Sequence, residues 1–358
     1  MKHITANIED SGTLSGNFYC SESIFHESIE KIFANSWQLI TDDSEVSETN
    51  SAYPFVLMEE VLPESLFLIN NEQRIKCYSN VCTHRGNILV NKKTVLNNSI
   101  VCNYHGKRFD FSGIFISMPE SKGMNNFPCL ADNLSEVPCD KWRQFVFVSL
   151  NGGFKLSDLF IDVNKRVDWM PIEDFRYRED LSKQYIIDAN WALYCDNYLE
   201  GFHIPFIHKD LHDTLDYNNY EVETFQYSSL QIGYANNEED CFDLPIQSPD
   251  YGKKIAAYYF WLFPNIMLNF YPWGLSINII TPLSHNQTKI EFKSYVWNES
   301  MLKKGAGADL NKVELEDQVI VKQVNQGVRS RFYNYGRFSP KMEKGVHHFH
   351  NLIKKFME

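Results

Sequence analysis

The sequence has no excess of positive charge: 34 Lys and Arg stand against 46 Asp and Glu, a formal net charge of −12. A surface of that sign does not neutralise phosphates, which argues against a nucleic-acid binder. Glycine (17) and proline (13) are too few in 358 residues for a disordered chain. Internal repeats, low-complexity tracts and the glycine-rich fingerprints of flavin and nicotinamide binding are all missing. Residues 1–17 contain Lys2, Glu9 and Asp10 and no apolar core, so they do not read as a secretory signal, and a cytoplasmic protein is expected. An unbroken apolar run is also lacking. Residues 255–284 carry no Asp, Glu, Lys or Arg and are long enough to span a bilayer. Pro264, Asn265, Asn269, Pro272, Gly274 and Asn278 interrupt them, and a spanning helix would have to satisfy those groups in lipid. Their aromatic and β-branched content predicts buried strands at 256–263, 266–270 and 275–281, with no membrane association.

The length suits two domains. A Ser-capped amphipathic helix is expected from Ser23 to Trp37, with Ile24, Phe25, Ile29, Ile32, Phe33 and Trp37 on one face. Residues 41–50 form a polar connection near a domain boundary. Short strand-like runs at 54–58, 65–70, 75–78 and 144–150 predict a small all-β domain. After a linker at Asn151-Gly152-Gly153 the chain mixes strands with helices around Asn197 and over 310–330. The fold class is α+β. Eight cysteines could pair as four disulfides, which is improbable in a cytosolic chain of this size.

Two of those cysteines stand at metal-ligand spacing: Cys82-Thr-His84-Arg-Gly86 and Cys102-Asn-Tyr-His105-Gly106. A Rieske-type [2Fe–2S] cluster needs two thiolates on one iron and two imidazoles on the other, so each loop would give one ligand to each iron. The same four residue types could hold zinc, but zinc modules pair Cys with Cys and His with His. Gly86 and Gly106 stand where each loop must turn tightly. Cys129, Cys139 and Cys195 lack such partners and read as packing thiols.

In the later part of the chain, Glu200 and His203 are three apart, which places them on one helical face, and His208 follows five residues on. Pro205 would distort the turn between the histidines and let both reach one metal. A facial triad of two histidines and one carboxylate with open positions is the signature of non-haem Fe(II) oxygenases. Glu314, Glu316 and Asp317 offer the carboxylate; Asp317 is preferred over Glu316, and spacing alone does not separate them. His212, His285, His347, His348 and His350 show no comparable partners and read as surface or packing residues.

Taken together, Cys82-x-His84, Cys102-x2-His105 and Glu200-x2-His203-x4-His208 resemble the Rieske non-haem iron oxygenase α-subunit family over nearly the whole chain. The resemblance implies an all-β Rieske domain at 41–155. It implies a catalytic domain from 156–358 with 1–40, in which an antiparallel sheet grips a long helix. It implies iron held by His203, His208 and Asp317, the last supported by the order Glu316-Asp317, Asn325-Gln326-Gly327, Ser330. Glu200 stands where the family places a bridging aspartate, so it becomes an electron-transfer bridge rather than a ligand. Lys107 departs from the family's frequent tryptophan. A homotrimer is implied, with dioxygen as cosubstrate and electrons from NAD(P)H through a separate flavin or iron–sulfur reductase.

Glutamate at the bridge, with the segments from Phe263 and Tyr271, is similar to the branch of choline, glycine betaine and carnitine monooxygenases. The expected reaction is hydroxylation or N-dealkylation of a quaternary ammonium or related N-methyl compound. Quaternary ammonium groups bind well over aromatic faces, and Tyr258, Tyr259, Phe260, Trp261, Phe263, Tyr271 and Trp273 crowd one region, although strand aromatics are more often core. The competing readings are an aromatic-ring hydroxylating dioxygenase or O-demethylase, and an iron–sulfur electron-transfer protein without oxygenase activity.

Overall fold

The structure, a computed structural model, describes residues 1–72, 74–208, 220–236, 240–308 and 310–358. The chain forms two compact units, Ala34–Leu156 and Met1–Phe33 with Ser157–Glu358.

The Ala34–Leu156 unit is all β apart from two 3-10 turns, Asp43–Val46 and Leu130–Asp132, among the described residues. Its largest sheet has five strands, in the order Thr94–Val95, Ser51–Leu57, Glu64–Asn71, Arg74–Ser79 and Glu136–Val137. Phe67, Ile69 and Tyr78 from its centre pack with Phe109, Leu89 and the thiols of Cys82 and Cys102. The metal-ligand loops therefore stand on a rigid core. The polar stretch at 41–50 lies inside this unit, where Asp42 caps the 3-10 turn by accepting from Ser44 N at 3.1 Å.

The other unit is built on a seven-stranded sheet, antiparallel at every pairing. Its order is Arg176–Ile187, Gln287–Val296, Gly274–Ser284, Ile266–Tyr271, Ile255–Leu262, Ser228–Tyr234 and Glu221–Thr224. The charge-free segment at 255–284 supplies its three central strands, buried as expected. The Trp191–Tyr198 helix, capped by Asn190 accepting from Ala192 N at 3.0 Å, packs between the sheet and the long Leu310–Gly327 helix. Among the described residues no helix is long and apolar enough to cross a membrane.

Near the N-terminus the cap is Ser21 rather than Ser23: its Oγ accepts from Ile24 N at 3.4 Å. The expected single helix is Glu22–Ser28 followed by a π turn, Ile29–Phe33. That turn lets Ile29, Ile32 and Phe33 bury together. Trp37 belongs to the all-β unit, where its indole N–H donates to Phe154 O at 2.8 Å. An apolar spacing alone could not reveal that the chain changes unit inside the pattern.

Candidate metal centres and the adjoining cavity

Two loops of the all-β unit are built alike. Cys82 N donates to Asn87 O (2.8 Å) and Gly86 N to Cys82 O (3.0 Å); Cys102 N donates to Lys107 O and Gly106 N to Cys102 O, both 2.9 Å. Gly86 (φ 72°) and Gly106 (φ 73°) take the left-handed conformation that closes each turn, as expected. Both cysteines are buried, and the Cys82 thiol lies within hydrogen-bonding reach of Cys102 Sγ. His84 and His105 are exposed, with ring centroids 4.8 Å apart.

Burial raises both thiols, but at Cys102 it is outweighed by the Tyr104 N–H, the Cys82 thiol, the His105 N–H and the Asn87 amide, which hold it below the ordinary thiol value. Donors aimed at a sulfur favour the thiolate a metal needs. Paired sulfurs on the buried side and paired imidazoles on the exposed side fit the two irons of a [2Fe–2S] cluster.

The departure at Lys107 has a definite structure. Its side chain is 1% exposed and its ammonium lies 2.9 Å from Asp132 Oδ1, over the rings of Phe109, Phe115 and Phe127 at 5.6, 5.3 and 5.7 Å. A cation thus takes the place of the expected indole and satisfies its charge locally.

In the other unit, His203, His208 and Asp317 bring three donor atoms within 4.8 Å of one another. Asp317 Oδ1 lies 2.9 Å from His208 Nε2 and 3.6 Å from His203 Nε2. Asn197 steadies it, donating from Nδ2 to Asp317 Oδ1 at 2.8 Å. Glu316 points elsewhere: its Oε2 is 2.7 Å from His208 Nδ1. Glu200 makes the matching contact on the other histidine, Oε1 to His203 Nδ1 at 2.7 Å. With a metal held at the two Nε2 atoms, each Nδ1 would carry the proton that its glutamate accepts. Burial lowers the His208 pKa, but Asp317 and Glu316 on its two nitrogens outweigh that and leave it raised. The donor set of two imidazoles and one carboxylate fits a single Fe(II).

Local geometry corrects two expectations. Glu200 and His203 do not share a helical face, because the helix stops at Tyr198. Glu200 instead closes a turn, its Oε2 accepting from Phe202 N and, at 3.1 Å, from His203 N. Pro205 distorts no helix; it sits in the first turn of a new one, Ile204–Ile207, where its missing N–H costs nothing. A third correction concerns His350, which is 1% exposed and does have a carboxylate partner: its Nε2 lies 2.8 Å from Asp196 Oδ1. The two are 154 residues apart, so spacing gave no signal. His212 lies outside the described residues.

A cavity opens beside His203, His208 and Asp317. Of the seven crowded aromatics only Tyr259 and Tyr271 line it; Tyr258 instead donates to Asp250 at 2.9 Å, and Trp261 packs on Phe349. Tyr194, Tyr198, Tyr220 and Phe292 complete the aromatic wall. Tyr194 and Tyr198 share the Trp191–Tyr198 helix, Phe292 stands on the Gln287–Val296 strand and Tyr220 precedes the Glu221–Thr224 strand, a grouping that carried no signal in the sequence.

Such a fold with these two donor sets defines a Rieske-type non-haem iron oxygenase, an enzyme with a [2Fe–2S] cluster and a mononuclear iron. The chain belongs to the ring-hydroxylating alpha-subunit family: residues 168–358 match its catalytic domain, and residues 36–128 match the Rieske [2Fe–2S] domain. The latter match removes the zinc reading of the four loop donors. The chain is similar to the chloroplastic choline monooxygenase of Arabidopsis thaliana, at 25% identity over 97% of this chain and 83% of that one. It is similar to the carnitine monooxygenase oxygenase subunit of Escherichia coli (strain K12), at 26% identity over 98% and 96%. Among solved structures, the quaternary ammonium Rieske monooxygenase CntA with L-carnitine superposes with TM-score 0.75 at 23% identity, over 99% of this chain and 97% of that chain. Naphthalene 1,2-dioxygenase with indole bound superposes at 0.71 and 15% identity, over 99% and 94%.

Proposed function

We propose that this protein is the oxygenase component of a monooxygenase that hydroxylates a quaternary ammonium or related N-methyl compound. Cys82 and Cys102 hold one iron of the cluster and His84 and His105 the other. His203, His208 and Asp317 hold the mononuclear iron. When bound, the cluster supplies electrons and the iron supplies the open positions at which dioxygen is activated. In the net reaction one oxygen atom enters a C–H bond and the other leaves as water, with two electrons and two protons consumed. The electrons come from NAD(P)H through a separate flavin or iron–sulfur reductase.

Glu200 holds His203 by Nδ1 and is proposed as the electron-transfer bridge toward a Rieske histidine of a neighbouring subunit in a homotrimer. The outward face of the Leu310–Gly327 helix supports such an assembly, with Leu315 and Val319, one turn apart, at 48 and 55% exposure. Asn197 and Glu316 keep Asp317 and His208 aimed. The tyrosine wall excludes water and offers π faces to a cationic headgroup.

The observation that carries the reading is the aromatic cavity opening on a complete two-histidine, one-carboxylate set. Dioxygen uptake by the reduced protein, with product mass analysis, tests it. Quaternary ammonium compounds are expected to stimulate uptake and gain one oxygen atom. Stimulation by aromatic acids alone would favour a ring hydroxylase or O-demethylase.

A further inference from the structure

Beside the residues assigned to iron and to the bridge, the cavity holds one more carboxyl. Glu314 lies one turn before Asp317 on the Leu310–Gly327 helix, lines the cavity and is 4% exposed. Its Oε2 accepts from Tyr194 OH and its Oε1 from Gln318 Nε2 at 2.8 Å. Two donors aimed at two oxygens suit a carboxylate, yet no ion pair reaches it among the described residues. Buried charges are ordinarily paired. Burial without a counter-charge pushes this carboxyl up to about 8.

The rest of the wall explains what is missing. Among the described residues lining the cavity there is no Lys and no Arg. Apart from the iron set and Glu200, its polar groups are neutral, chiefly Gln231, Asn269, Ser276 and Asn278. Asn269 donates to Asn278 Oδ1 at 3.1 Å, so part of that capacity is already used. A ligand carboxylate would find no cationic side chain there, and would share the space with Glu314. An ammonium would find the tyrosine faces and an unpaired acid.

We propose that Glu314 fixes the charge of the substrate: with the tyrosines around it, it selects an N-methylated ammonium bearing no carboxylate over a betaine-type zwitterion. This rests on the quaternary ammonium reading and narrows it. Glu314, which burial pushes up to about 8 in the empty cavity, gives up its proton to solvent as the cation enters and then supplies the counter-charge, in a cavity where low polarity strengthens the attraction. The neutral amides and Ser276, bonded among themselves and to Tyr198, are the groups that an uncharged polar end of the ligand would meet.

The test is calorimetric binding of choline and of L-carnitine to the anaerobic, metal-loaded protein, for the unmodified chain, Glu314→Gln and Glu314→Asp. Choline is expected to bind at least about tenfold more tightly than carnitine, and Glu314→Gln to remove most of that ratio by weakening choline alone. Glu314→Asp should keep part of it. A purely structural role would weaken both ligands equally. Carnitine binding as tightly as choline to the unmodified chain, or a ratio unchanged by Glu314→Gln, overturns the proposal and leaves the quaternary ammonium reading standing. Binding of neither, with binding of an uncharged aromatic, overturns both. If Glu314→Gln does not fold, Tyr194→Phe substitutes for it: a larger loss for choline than for carnitine supports the assignment, and an equal loss overturns it.

Discussion

The two candidate metal centres are built in opposite ways. The cluster site draws its donors from two short loops, 82–87 and 102–107, each closed by its own backbone hydrogen bonds. The iron site needs His203 and His208 to meet Asp317 more than a hundred residues later, on another helix. Polarity is reversed as well. The cluster's sulfurs are buried and its histidines exposed, whereas His208 is 2% exposed and both iron-site histidines are backed by glutamates. The first set presents its histidines at the surface, and the second encloses its donors beside a cavity.

Removing one donor from each site has the largest expected effects. Cys82→Ser is expected to abolish the cluster, seen as loss of its visible absorption and its EPR signal in the reduced protein, and to end turnover. His203→Ala should leave that signal intact while iron falls from about three atoms per chain toward two. Loss of the cluster in His203→Ala would show that the centres are not independent.

This independence also explains what could be read beforehand. The two loops were legible as turns because cysteine, histidine and glycine all fall within six residues, and the glycine conformations follow from the same local pattern. The iron histidines were legible as a pair, but their carboxylate was chosen by family pattern, since Asp317 and Glu316 differ by one step along a helix. Only packing separates them: one step rotates Glu316 onto Nδ1 of His208 while Asp317 meets Nε2 of both rings. The helical geometry assumed for Glu200 failed because the helix stops at Tyr198, two residues short of it. The tyrosine wall was legible only in Tyr259 and Tyr271; Tyr194, Tyr198 and Tyr220 join them only through the packing of the sheet and the Trp191–Tyr198 helix.

The glutamates behind the histidines give the next two tests, of smaller effect. Glu200→Gln keeps a hydrogen-bonding group beside His203 but removes the charge. Both metals are expected to stay bound while turnover falls at least about tenfold, measured as single-turnover product per iron. Normal turnover would remove the bridge. Glu316→Gln touches no other centre, so its expected effect is on iron affinity alone, a loss of about 10- to 100-fold by competition with a chelator. A larger loss there than in Asp317→Ala would reverse the assignment of ligand and support.

The smallest expected effect tests why a cation stands beside the cluster. Burial leaves the Cys82 thiol raised and the His84 imidazole lowered, and the Lys107 ammonium pulls both downward. A reduced cluster carries one more negative charge than an oxidised one, so a nearby cation favours reduction. Lys107→Met removes that cation and also unmasks Asp132, two changes of the same sign. The reduction potential is therefore expected to fall, read by EPR-monitored titration. Stability should fall by roughly 1–3 kcal/mol, less than for a fully buried pair because Asp132 is 17% exposed. Lys107→Met with Asp132→Asn separates the two causes. If the ammonium itself sets the potential, the double variant recovers stability but only part of the potential. Full recovery of both would mean that the pair is electrically silent and serves only to fill the space among three phenylalanines.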